Sequence, residues 1–328
     1  GTSRKKKDLS AKTNRSLRFV FVFTQDGTGC IPPLFKYQKL CYTIYSFIVN
    51  RLKRGSDAMQ KKFLPPLLAL IAGGAGFALR RWQLATGFEP DTGLAISGAP
   101  AAWAVSGFSL LAALLFLLLS WRGEKRLSWE TAYAAGQQNT LAVTTLLLSA
   151  MLLLASGGVE IITRSVNGII TYEGETPFAR VASAILPPLR IGLSLGALPC
   201  VFLWARAIFR REGGKENLAT LEPCILYCVW LISTYQTRAA DPVVQGYLYE
   251  VFAIVTSLLG LYFIAGPSFR NGKPRWAVFF CLTGTYFSLV TLADNHSLSD
   301  AFRDLFAVLY LTTHAVLILN HPPVEEPE

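Results

Sequence analysis

Eight long apolar stretches dominate this chain and leave few folds open to it. They run over residues 63–83, 100–121, 138–162, 184–208, 220–238, 245–266, 275–293 and 302–320. Each holds about 19–25 residues, which at ~1.5 Å per residue matches a hydrocarbon core of ~30 Å. Backbone groups in lipid must pair within their own segment, so each stretch is expected to be a transmembrane α-helix. The alternating ten-residue pattern of a membrane β-barrel is missing. Composition agrees: of 328 residues only 16% are charged and 52% are hydrophobic, with a mean hydropathy of +0.38. A soluble domain needs about 25% charged residues to cover its surface. The expected fold class is all-α and polytopic, and disorder, collagen-like repeats and a disulfide scaffold are excluded. The fifth stretch is the most polar at its end, through Ser233, Thr234, Gln236 and Arg238.

The formal net charge of +10 points at nucleic acid or an acidic partner until it is divided along the chain. Residues 1–58 carry 12 Lys and Arg against 3 Asp and Glu, while residues 59–328 carry 19 against 18. The basic character therefore belongs to the first 58 residues, and no nucleic-acid partner is expected of the rest. That segment has apolar runs of only about 7 and 10 residues, too short to span a bilayer. Two readings of residues 1–58 stand: translated upstream DNA ahead of a natural start at Met59, or a basic arm lying on anionic lipid. Residues 59–328 form the single eight-helix domain.

Lys and Arg in the loops set the orientation. With the first helix starting inside, the inner loops receive 12 basic residues and the outer loops 7. Both termini are then expected in the cytoplasm. Trp82, Trp103, Trp121, Trp129, Trp204 and Trp276 fall at or near helix ends, where an interfacial aromatic belt places them. Ser128 and Thr131 are positioned to cap a helix leading into the third span. The Pro-Pro openings of the first and fourth spans form a faint internal echo, as in inverted repeats, but also suit an ordinary helix entry.

Five charged residues stand at similar outer depth on five different helices: Arg80, Arg190, Arg238, Glu250 and Arg303. A charge inside a bilayer costs about 2.5–3.5 kcal/mol on insertion scales, so it pairs or faces water. If these helices are neighbours, the five form an outward-open pocket with Tyr249, Tyr286 and Gln236 on its walls. Its basic excess suits a small anion or an anionic head group, since Arg forks bind carboxylate and phosphate. The competing reading has the helix-end arginines snorkelling into head groups and Arg190 paired with Glu250.

Other motifs read more simply. Glu89-Pro90-Asp91-Thr92-Gly93 is a turn. Asp294, Asp300 and Asp304 border the last outer loop with His296, as a solvated loop or a hydrated acid/base cluster. His296, His314 and His321 make no metal-ligand spacing, and Cys224 and Cys228 read as small packing residues. His314 is expected to face a neighbouring helix, and Pro199 to kink the fourth span. Gly73, Gly74 and Gly76 resemble a close helix-packing surface. No metal, cofactor or catalytic residue is expected from these patterns.

The segment Arg80–Leu94, "RRWQLATGFEPDTGL", resembles the stretch after the first span in multi-pass membrane proteins of anaerobic Gram-positive bacteria that have no assigned activity. The likeness begins at Met59 and covers about a sixth of the chain. It implies a bacterial cytoplasmic membrane and transfers no site residues. Three function classes follow: a transporter or permease-like subunit for a small, anionic solute; a non-enzymatic sensory, accessory or assembly protein; and an intramembrane lipid-modifying enzyme. The partners expected are the lipid bilayer and other membrane subunits.

Overall fold

The computed structural model describes residues 63–89, 91–121, 126–167, 177–212, 217–238, 243–294 and 296–321. The basic segment 1–58 lies outside them. The fold is all-α, and the local backbone choices follow the sequence. Among the described residues eight long helices succeed one another: α1 Phe63–Thr86, α2 Pro100–Trp121, α3 Thr140–Asn167, α4 Pro177–Arg210, α5 Glu222–Arg238, α6 Val244–Ala265, α7 Pro274–Thr291 and α8 Leu298–Leu319. Proline opens α7, where a missing N–H costs nothing. Ser297 caps α8: its Oγ accepts from the Asp300 backbone N–H at 3.2 Å and donates to the Asp300 carboxylate at 2.6 Å. Ser128 caps the short helix Trp129–Ala132, as its position in the sequence suggests.

Seven of the eight helices are long and apolar enough to cross a membrane, and α7 is the exception. Its place in the bundle explains why. Helix α7 packs against α2, α6 and α8, and Gly73 and Gly76 of α1 close on its Leu289, Val290 and Tyr286. The run Cys281–Phe287 and Ser288 is buried throughout. A helix wrapped by other helices need not offer lipid an apolar face. So Thr283, Thr285 and Thr291 sit inside at little cost, each hydroxyl bonded within the protein. Helix α8 is the second pillar, packed on α3 and α7. The most apolar window of α8 is 61% buried and that of α2 only 22%, so α2 is the peripheral helix.

Two expectations need correction. The Pro-Pro pair does not open α4: the helix begins at Pro177 and runs through Pro187, Pro188 and Pro199. Neighbouring helices supply the packing that lets a chain in lipid tolerate these missing N–H groups. Nor do all the tryptophans sit in an interfacial belt. Trp82, Trp103, Trp121 and Trp276 are exposed near helix ends, but Trp129 and Trp204 are buried. The segment Trp129–Gly136 folds back into the bundle and carries them into contact. The 89–93 turn is as expected, with Thr92 Oγ1 donating to the Glu89 carboxylate at 2.7 Å and Gly93 at φ +66°.

Candidate functional site

At one end of the bundle the described helices bury an unusual amount of charge. Arg80 of α1 has no solvent exposure. Its Nε donates to Asp294 at 2.7 Å, Nη1 donates to Gln83 at 2.9 Å and to the Gln245 carbonyl at 3.2 Å, and Nη2 donates to the Gly246 carbonyl at 2.9 Å. The guanidinium also lies 4.7 Å from the centre of the Tyr249 ring. Asp294 is held in turn by Thr291, whose Oγ1 lies 2.9 Å from His296 Nε2. Arg80 therefore ties α1 to the start of α6 and to the α7–α8 loop.

A second knot centres on Glu160 of α3. Arg190 of α4 reaches both its oxygens, with Nε at 3.0 and 3.1 Å, and donates to Ser233 of α5 at 3.2 Å. Arg303 of α8 donates to the same carboxylate, to Asp300 and to Ser299 Oγ, and lies 5.3 Å from the Trp230 ring centre. One carboxylate thus bridges two guanidiniums from different helices. The third pair joins Arg238 at the end of α5 to Glu250 of α6, at 2.9 and 3.2 Å. Asp304, one turn along α8, is 2% exposed, and among the described residues no salt bridge reaches it.

The structure brings together most of the residues singled out in the sequence, with different partners. Arg80, Arg190, Arg238, Glu250 and Arg303 do share one end of the bundle, and Tyr249 lies under Arg80. Arg190 does not pair with Glu250; Glu160 takes it instead. Tyr286 is away from the charges, bonded to Ser109 Oγ at 2.8 Å between α2 and α7, and Gln236 is half-buried on α5. The basic excess also disappears. Four arginines face Glu160, Glu250, Asp294 and Asp300, so every one of those guanidiniums already has a carboxylate. Glu160 escaped the sequence reading, although an acid inside the third apolar stretch was the available signal. Asp294, Asp300 and Asp304 border no ordinary solvated loop: Asp294 and Asp304 are buried components of this cluster.

The opposite end surrounds a buried histidine with neutral partners. His314 of α8 faces a neighbouring helix as expected. Its Nε2 accepts from Trp204 Nε1 at 3.1 Å, and Nδ1 lies 2.9 Å from the Tyr310 carbonyl. Those partners define a neutral imidazole with Nδ1 protonated. Tyr133 donates to the Ile264 carbonyl at 2.8 Å and meets Trp204 edge-on at 5.2 Å. Burial, with smaller contributions from Tyr310 and Cys281, pushes the Tyr133 phenol well above its ordinary pKa. Among the described residues no group of three or more His, Cys, Asp or Glu stands where it would hold a metal ion. Comparison with protein-family models, with curated proteins and with solved structures gives no match.

Proposed function

We propose that this is a non-enzymatic integral membrane protein, an accessory or assembly component, whose buried ion pairs lock the bundle rather than bind a solute. The observation that carries this reading is Glu160 held between Arg190 and Arg303. Arginines that would otherwise attract an anion are already paired with carboxylates, and Arg80 and Arg303 are closed off from solvent. The charge pattern of the loops supports a bacterial cytoplasmic membrane with both termini inside, and the likeness of Arg80–Leu94 to bacterial membrane proteins supports the same placement. The exposed apolar faces of α1 and α2 would meet lipid or other membrane subunits.

A carrier for a small anionic solute is the second reading, with the charge cluster as its closed gate. Two observations favour it: the Arg238 side chain is 37% exposed, and a cleft of about 570 Å³ opens beside Arg81 and Gly246. Efflux from proteoliposomes holding the full chain separates the two. Vesicles are loaded with labelled chloride, phosphate or succinate, and the lock predicts efflux no faster than from empty vesicles, with Glu160→Gln lowering thermal stability. Protein-dependent efflux of any of the three that Glu160→Gln abolishes would establish the carrier and overturn the lock.

A further inference from the structure

The far end of the bundle from the charge cluster carries a second polar feature that the proposed function does not use. A cavity of about 250 Å³ opens between the C-terminal end of α2 and the N-terminal end of α7, with Leu117 and Trp121 on one wall and Arg275 and Trp276 on the other. Arg126 and Lys273, both exposed, complete its rim. The loops that present them are fixed to one another. Gly272 is buried against the Leu127 carbonyl so closely that a Cβ there has no room, and Arg270, at φ +59°, turns the chain into that crossing. Arg126 and Lys273 therefore flank the point where Leu127 and Gly272 meet.

We propose that this cavity binds the phosphate of an anionic phospholipid. Trp121 and Trp276 are 59% and 43% exposed at helix ends, where amphipathic rings lie at head-group level. Below them the exposed apolar face of α2, with Leu114 and Leu118, offers a track for an acyl chain. Above them Arg126 and Lys273 supply the charge, and basic pockets between membrane helices are the usual seat of phosphate head groups. The volume suits a head group better than a whole lipid. A free phosphate ion would match the cations but would leave the tryptophans and the leucine track without a role, so the proposal commits to the lipid.

The test is competitive lipid binding to the detergent-purified full chain, read by native mass spectrometry with phosphatidylglycerol and phosphatidylcholine supplied equally. The wild type is expected to retain phosphatidylglycerol preferentially. Each cation near a membrane surface contributes about 1 kcal/mol, or roughly fivefold, so Arg126→Gln with Lys273→Gln should cut that preference by about 25-fold. The paired control Arg210→Gln with Arg211→Gln removes two exposed charges elsewhere and should leave the preference unchanged. Melting temperatures of both double variants should match the wild type, since all four residues are exposed. Equal retention of the two lipids, an equal loss in the control, or displacement of phosphatidylglycerol by millimolar inorganic phosphate would each overturn the proposal.

Discussion

Arg303 and His314 lie on the same helix, roughly 16 Å apart along its axis, and each is fully buried. Around Arg303 the protein assembles ions: Glu160, Asp300, Arg190 and, through the adjoining loop, Arg80 with Asp294. Around His314 it assembles neutral partners, Trp204 and the Tyr310 carbonyl, with Tyr133 and Trp129 packed edge-on. Both ends pair most of their buried polar groups, with Arg303 Nε and Trp129 Nε1 left without a partner among the described residues, but the consequences of losing a partner differ. A neutral donor stripped of its acceptor loses one modest hydrogen bond. A buried ion stripped of its counterion keeps its full desolvation cost with nothing to offset it. The charged end is thus the more brittle, and the aromatic end the more forgiving.

That contrast is open to attack by substitution, with stability read as equilibrium unfolding in detergent. Glu160→Gln should be the most damaging change, at about 3–5 kcal/mol, because it takes a carboxylate from two guanidiniums at once, leaving Arg303 with Asp300 alone. A cost below that of the His314 variant would end the contrast. Arg80→Leu and Asp294→Asn should each destabilise strongly, and the double variant should recover part of the loss. A coupling of ~0.5–3 kcal/mol is expected for contacting residues, and strict additivity would show that the pair is not energetically joined. Between the two ends, Gly284→Ala should cost about 1–3 kcal/mol by overpacking, since a Cβ would lie 2.6 Å from Leu311 Cδ1. A neutral result there would mean that α7 and α8 part readily. At the aromatic end His314→Leu should cost only ~0.6–1.7 kcal/mol, the range measured for hydrogen bonds between membrane helices. The smallest effect belongs to Arg238→Gln, at about 1 kcal/mol or less, because Arg238 is 37% exposed and screened. A loss as large as that of Glu160→Gln would make exposure a poor guide to the worth of these pairs.

How much of this was legible beforehand depended on range. Apolar length and loop punctuation are local properties, and they delivered the helices to within a few residues for α2, α6 and α8. The turn at Gly93 and the cap at Ser128 rest on residues within a few positions of each other. Partner choice is different. Arg190 and Glu160 are 30 residues apart, and Arg303 and Glu160 are 143 apart, so only the packing of α3, α4 and α8 decides that they meet. The sequence reading likewise counts α7 as an eighth span, whereas among the described residues only seven helices are long and apolar enough to cross a membrane, α7 being packed against other helices. Trp204 was placed at the surface for the converse reason: an aromatic near a helix end reads as interfacial unless a loop segment folds over it.

The shared carboxylate also fixes an order of assembly. A chain entering the bilayer one hairpin at a time brings Glu160 in on α3 and Arg190 on α4, so the first counterion arrives with the very next crossing. Arg303 comes only with α8, after α5, α6 and α7. Until that final rod is threaded, α3 and α4 hold a neutral couple in oil with an unfilled seat. A polypeptide cut short before α8 would therefore lack the second guanidinium of Glu160.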